Sequence, residues 1–235
     1  MSNKYFSNFP EIQYTLNTGK IITIKDFFRK SIIERESVNS YIEYAKYEIL
    51  DGERPDAIAS KLYGDSQLHW TFFLVNELEN YYDWHMDSET FNNYIEEVFE
   101  GQSLTATEIS DIITSDSKFL VGERITSNTG TSGNVLEVDG AGKRLNVSGL
   151  FSTGDVVTGS RSGKSFTVQS VVDHKDDVAY HENADGIKRN YGGSGWNQVS
   201  HYDDEWAKNE SRRIIKIIKP ERIKRVVSEF ERVMS

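Results

Sequence analysis

The stretch Gly159-Ser-Arg-Ser-Gly163-Lys164-Ser165 holds the glycines, lysine and hydroxyl with which a phosphate-binding loop cradles a nucleotide. It is one residue short between its first glycine and the Gly-Lys pair. The residues that follow, Phe166-Thr-Val-Gln-Ser-Val-Val172, read as a strand, where such a loop needs a helix whose amides face the phosphates. Nucleotide chemistry is therefore not expected there. The five histidines, His69, His85, His174, His181 and His201, include no pair at metal-ligand helical spacing. The acidic clusters Asp173, Asp176, Asp177 and Asp203, Asp204, Glu205 lack the glycine and terminal glutamate of a calcium loop and read as solvated turns. The chain has no cysteine, which removes thiol nucleophiles, disulfides and cysteine zinc sites together. There is no Gly-x-Ser-x-Gly elbow, and none of the many carboxylates is singled out as a glycosidase pair. The expectation is a protein that is not an enzyme, with no catalytic residue, no metal, no cofactor and no small-molecule substrate.

The elements around these residues suggest a chain built for packing. With 235 residues, 37% hydrophobic and 12% aromatic, it can bury a core, and it lacks an apolar run long enough to span a bilayer. The N-terminus shows no apolar signal region, so the chain is expected to stay in the cytoplasm where it is made. Thr23 to Glu36 reads as a helix, with Thr23 as cap and Ile24, Phe27, Phe28 and Ile32 on one face. Tyr41 to Leu50 fits a strand in its second half. Pro55 opens a helix that Gly64 stops, and a second, nearly all-apolar helix runs from about Gln67 to Asn76, just before the aromatic run Tyr81, Tyr82, Trp84.

Near Gly101 the composition turns rich in Gly, Ser, Thr and Val as far as Val172, which reads as a separate β module. The module carries a repeat. Phe119-Leu-Val-Gly122-Glu123-Arg-Ile125-Thr126 and Ser132-Gly133 return as Phe151-Ser-Thr-Gly154-Asp155-Val-Val157-Thr158 and Ser162-Gly163, two hairpin-sized copies that suggest a small barrel. Val178 to Glu182 and Ile187 to Arg189 flank Asp185-Gly186 as another hairpin, and Tyr191 to His201 reads as a loop. The chain closes with a strand over Arg212 to Ile218 and a helix opened by Pro220, with Ile223, Val226, Val227, Phe230 and Val233 as its apolar stripe. The expected organisation is an N-terminal arm and helix (1–40), a two-helix domain (41–100), an inserted β module (101–173) and a return segment (174–235). Both flanks of the insert are polar, so removing 103–172 should leave the rest folded.

Charge divides the chain. Between Lys61 and Lys118 there is no basic residue and the net is -12, whereas Arg212 to Ser235 carries +5. A net of -10 argues against nucleic-acid binding by the chain as a whole. The acidic stretch is either a solvated face paired internally with the basic tail or a surface that steers docking onto a basic protein.

The segment Gly52-Glu-Arg54-Pro55 through Ile58-Ala59, Tyr63-Gly64, Leu68-His-Trp70 and Asn76 resembles a LysM domain, a βααβ fold whose members usually bind N-acetylglucosamine-containing glycans. Arg54-Pro55, Tyr63-Gly64, Leu68-x-Trp70, Asn76 and Tyr81-Tyr82-x-Trp84, preceded by Ile24-Lys-Asp26-Phe27-Phe28-Arg29, resemble more closely the LysM-bearing baseplate wedge subunit of T4-like contractile-tailed phages, the wedge protein 53 family. Tyr180 to Gly186 and Ile214-Ile-Lys216-Ile217-Ile218 with its helix are similar to that family's C-terminal part. The resemblance implies an α+β protein with a LysM-like core, N-terminal helix, inserted barrel-like module and C-terminal strand and helix. It implies a structural virion protein of the tail baseplate, assembled in the host cytoplasm, that joins neighbouring wedges and whose partners are other wedge subunits, with no nucleic acid and no membrane. Candidate interface residues are Arg54, Pro55, Tyr63, Trp70, Tyr81, Tyr82, Trp84, Arg222 and Arg225. Tyr81, Tyr82 and Trp84 serve either as interface anchors or as a cap on the core. The alternatives are a LysM-type peptidoglycan-binding module of a tail protein and, last, a cell-wall hydrolase.

Overall fold

The computed structural model describes residues 5–26, 44–190 and 192–234. They fall into two units, Met1–Ser88 with Asn209–Ser235, and Glu89–Lys208. Among the described residues, no helix is long and apolar enough to cross a membrane.

The first unit opens with a hairpin, β1 (Glu11–Thr15) and β2 (Ile21–Lys25), whose turn is closed by the Gly19 amide donating to the Leu16 carbonyl. This corrects the expected helix start at Thr23. Ile21, Ile22, Thr23 and Ile24 are all β-branched and pack better on a pleated strand, and Asn17-Thr18-Gly19 supplies the turn. The rest of that expected helix, with Phe27, Phe28 and Ile32, lies outside the described residues.

Strand β3 (Tyr44–Glu48) leads into α1 (Pro55–Tyr63), where Pro55 sits in the first turn and Gly64, at φ 74°, takes the left-handed cap conformation that side chains resist. A 3-10 turn, Ser66–His69, runs into α2 (Trp70–Val75). The hydrogen-bonding partner of β3 is β14 (Ile214–Ile218), antiparallel, from Tyr44 opposite Ile218 to Glu48 opposite Ile214. Ile215 and Ile217 face inward and share a core with Ile49, Ile58, Leu68 and Phe72, while Lys46, Glu48, Ile214 and Lys216 are exposed. Then α6 (Ile223–Met234) buries Ile223, Val226 and Phe230; the side chain of Val233 lies outside the described residues. Phe230 lies 4.5 Å, centroid to centroid, from Trp70 and stacks on Tyr5 at 5.3 Å, which ties the N-terminal segment to α2 and α6.

The second unit contains α3 (Ser88–Val98), the β module, a three-stranded sheet and α5 (His201–Ser211). The module is a seven-stranded antiparallel sheet in the order β10-β4-β7-β6-β5-β8-β9, with α4 (Ile109–Ile112) beside it. Its strands are β4 (Gln102–Thr105), β5 (Arg124–Ser127), β6 (Ser132–Asp139), β7 (Arg144–Val147), β8 (Val156–Gly159), β9 (Ser165–Thr167) and β10 (Ser170–Asp173). A register shift between Val135 and Glu137 lets β6 pair with β5 through one half and with β7 through the other. Leu104, Ile125, Val135, Leu145, Val157 and Phe166 share one core. The sheet is not the expected barrel. β9 and β10 are its two edges, and the chain turns between them through Val168-Gln169 without pairing them.

The repeat copies adopt the same local structure. β5 pairs with β8 around Thr126 opposite Thr158, and each copy forms a hairpin, β5–β6 and β8–β9. Ser132 faces Thr126 as Ser165 faces Thr158, so the second halves stand 33 residues apart and not at Ser162-Gly163 as the sequence match placed them. Downstream, β11 (Val178–Asn183) pairs with β12 (Lys188–Arg189) around Asp185-Gly186, as expected, and also with β13 (Trp196–Ser200). The expected loop over 191–201 is thus a strand from Trp196 onward, followed at His201 by α5. The glycines of 192–195 only hid it.

The loop that resembles a phosphate cradle is an anion site filled from within. Glu123, 1% exposed, accepts hydrogen bonds from the Leu120 amide (2.7 Å) and, through its other oxygen, from the Arg161 and Ser162 amides (3.0 Å each). Gly159 is required for this approach, because a β-carbon there would lie 2.8 Å from the carboxylate. Burial pushes the Glu123 carboxyl up, but the amides of Ser162, Leu120 and Arg161 more than offset it and hold the group below the usual range.

Two outcomes follow from this architecture. Gln102 lies directly opposite Asp173 in the β4–β10 pair, so deleting 103–172 with a short linker should leave the helical circular-dichroism signal and a cooperative melt; an unfolded product would show the module boundary to be misplaced. Because the Glu123 carboxyl titrates lower in the folded chain, its stabilisation is complete above its unfolded value near pH 4.5 and is lost as pH falls through the folded value. Glu123→Gln should flatten that acid limb of the denaturation midpoint and cost about 1–3 kcal/mol at neutral pH, because with its oxygen kept towards Arg161 and Ser162 its NH2 faces the Leu120 amide, donor against donor.

Candidate protein interface

The nine candidate residues all lie in the first unit, and the fold divides them. Trp84 is 5% exposed: its indole stacks on Phe73 at 5.9 Å and its Nε1 donates to the Glu53 carbonyl at 3.1 Å. Trp70 and Pro55 are buried, the first against Phe230 and the second at the start of α1. Tyr63 is half-buried and donates from its hydroxyl to the Ile218 carbonyl at 2.8 Å, which fastens α1 to β14; burial pushes its phenol up to about 12. These four hold the unit together. Arg54, ion-paired to Asp56 at 3.0 Å, and Arg222, Arg225, Tyr81 and Tyr82 are exposed.

Tyr81 (61% exposed) and Tyr82 (78%) stand on the short 3-10 turn Tyr81–Asp83. The turn is locked on three sides. The Asp83 carboxylate accepts from the Glu79 and Asn80 amides at 3.1 Å, Arg212 donates to the Tyr82 carbonyl at 3.1 Å, and Trp84 drives its ring into the core. Glu53, whose carbonyl receives Trp84, is itself held by both of its carboxylate oxygens to the Tyr47 hydroxyl (2.8 and 2.9 Å) and by Lys61 at 3.2 Å. Burial pushes the Glu53 carboxyl up, but the hydrogen bonds from Tyr47, Leu50 and Lys61 outweigh it and bring the group below its ordinary value. Two tyrosines are therefore offered to solvent from a fixed backbone, which lowers the ordering cost of burying them against a partner.

Beside them lies a half-open cleft of about 180 Å³, lined by Leu78, Asp83 and Trp84 on one side and Arg212, Ile214 and Ile215 on the other, with Asn76 and Ser211. The sequence reading did not find it. Its walls come from segments 130 residues apart, and Ile214, 60% exposed, reads in sequence as one more core isoleucine of β14.

Two asparagines bind these segments. Asn76 accepts from the Lys216 amide through Oδ1 and donates from Nδ2 to the Lys216 carbonyl, both at 2.8 Å, so that its side chain caps the outer edge of β14. Asn209, buried, grips Met86 the same way, at 2.8 and 3.0 Å. His85 adds a ring-nitrogen contact to the Asn209 carbonyl at 3.1 Å.

Among the described residues no group of three or more histidine, aspartate or glutamate side chains is placed to hold a metal ion. What the unit presents is a rigid aromatic pair, a cleft and exposed cations.

Residues 4–103 match the family of base plate wedge protein 53. The match covers 100 of the 235 residues and is to a family described as a base plate wedge protein. It takes in β1 to β3, α1 to α3 and the Tyr81–Trp84 turn, and it stops within β4, at the start of the module; residues 104–235, α6 among them, lie outside it. Comparison with curated proteins gives no significant match.

If the asparagine side chains complete the unit, Asn76→Ala and Asn209→Ala should each lower stability by about 1–3 kcal/mol, since each leaves a backbone amide and carbonyl without partners. Urea denaturation followed by tryptophan fluorescence measures this; unchanged midpoints in both variants would show that the clamps carry no weight.

Proposed function

We propose that the chain is a wedge subunit that joins neighbouring wedges of a contractile-tail baseplate. Its first unit is a LysM-like domain given over to protein docking. The family match over residues 4–103 supports the baseplate setting. The order β3, α1, α2, β14, with the two strands paired antiparallel, supports the βααβ reading, the closing strand being supplied from beyond the second unit. The observation that carries the docking role is the outward presentation of Tyr81 and Tyr82 from a turn fixed by Asp83, Arg212 and Trp84. Exposed aromatics on a rigid base next to a cleft are the residues that dominate protein interfaces. Arg54, Arg222 and Arg225 supply charge around that domain. Assembly takes place in the host cytoplasm, and the chain uses no cofactor, small-molecule substrate, nucleic acid or membrane.

The second reading, glycan binding, is favoured by the same βααβ order, and one experiment separates the two. Purified chain should bind isolated wedge components and be absent from chitin and peptidoglycan pull-downs. Tyr81→Ala/Tyr82→Ala should weaken wedge binding by about tenfold or more with an unchanged melting temperature, as expected for exposed anchors. Retention on chitin with wedge binding intact in the double variant would reverse the assignment.

A further inference from the structure

Two of the five histidines meet inside the second unit. His174 opens the 3-10 turn His174–Asp176 after β10 and is 8% exposed, and His201, half-buried, opens α5. Their rings lie 5.1 Å apart, centroid to centroid, nearly edge to face. Phe99, just past α3, packs on both, at 5.5 and 4.6 Å. Behind His174 stands Asn146 of β7, which is buried. The Ser103 hydroxyl donates to its Oδ1 at 2.6 Å, and its Nδ2 donates to the Glu137 carboxylate at 3.0 Å. An ionised carboxylate only accepts, so the NH2 is fixed on that side, and its second hydrogen reaches Nε2 of His174 at 2.9 Å. Nε2 therefore accepts and carries no proton. Charge surrounds the pair: Glu137 from β6, Arg144 from β7, bonded to Asp177 at 2.8 Å and to the Val178 carbonyl at 2.9 Å, and Lys175, paired with Glu96 of α3 at 3.9 Å. Burial, and then the neighbouring His174, hold the His201 imidazole below its ordinary value; Arg144 adds to this, and Asp177 and Glu137 oppose it.

We infer that His174 and His201 form an acid-sensitive catch, closed while both rings are neutral, that holds the end of β13 and the start of α5 to the β module. A proton on His174 would fill Nε2 and set N–H against the Asn146 NH2. A proton on His201 would place a cation in the angle between Phe99 and His174. Either event favours parting of the rings. The Arg144 guanidinium stays charged throughout and keeps its grip on Asp177 and Val178 beside the joint, so the opening is local and the unit as a whole stays folded. The His201 amide donates to the Asp177 carbonyl at 3.1 Å, which ties the start of α5 to the same turn. In the unfolded chain His201 takes its proton near pH 6.5, and in the folded chain only at lower pH. Its contribution is therefore complete above that unfolded value and is lost as pH falls through the folded one. The catch lies wholly in the second unit and does not depend on the docking reading.

The test is hydrogen–deuterium exchange of the full chain, read by mass spectrometry in steps from about pH 7.5 to about pH 5 and corrected for the intrinsic pH dependence of exchange. Peptides over 196–208 should lose protection about threefold or more across that range, while those over β5 and β7 stay level. His201→Gln and, separately, His174→Gln should each flatten the loss. In His69→Gln, altered in the first unit, the loss should persist. His201→Phe, which keeps a ring against Phe99 and cannot take a proton, should flatten it too and keeps the test decisive if the glutamine variants misfold. Level protection over 196–208 in the parent, a loss shared equally by peptides throughout the chain, or a loss that persists in the variants of both histidines would overturn the inference.

Discussion

Strand β3 has no backbone partner among the described residues ahead of the second unit, and the first unit rests on that fact. Its amides and carbonyls are satisfied when Ile214–Ile218 returns beside it, bringing Ile215 and Ile217 to cover Ile58, Leu68 and Phe72. Closing so long an excursion costs little more than closing a short one, since the entropy of closure grows only with the logarithm of length. The free edge of the returning strand is then met at Lys216 by Asn76 and at Ile218 by Tyr63, side chains doing the work of a further strand. The second asparagine, Asn209, fixes the chain at Met86.

In both units a carboxylate is held by hydrogen-bond donors around it. Glu123 is enclosed by amides that satisfy it completely, so the one loop with the look of an anion site has its occupant built in. In the first unit Glu53 is likewise tied down by Tyr47 and Lys61.

Where the sequence carried strong local signals the reading followed them. Pro55 and Gly64 delimit α1, Asp185-Gly186 turns the β11–β12 hairpin, and the repeat marks Glu123 and Asp155 as equivalent. The misses have physical causes. Thr23 has the chemistry of a helix cap but sits in a β-branched run that prefers a strand. Helix α5 is polar nearly all round, with Tyr202 and Trp206 meeting Phe91, so it has little apolar period to read. The barrel reading failed because two hairpins in tandem do not specify whether the outermost strands meet. At the interface, the run Tyr81-Tyr82-x-Trp84 was visible, but which ring turns inward depends on the Glu53 carbonyl, more than thirty positions earlier. The cleft beside it needs segments that only the return of the chain brings together.

The discontinuity of the first unit sets an order of events during synthesis. Translation proceeds at about 5–20 residues per second, so β3, α1 and α2 emerge many seconds before the strand that completes them. In that interval the second unit, continuous in sequence, can fold outright while the first holds an open edge and uncovered apolar side chains. A chain cut short anywhere before β14 lacks the strand that completes the first unit, whatever part of the second unit it carries.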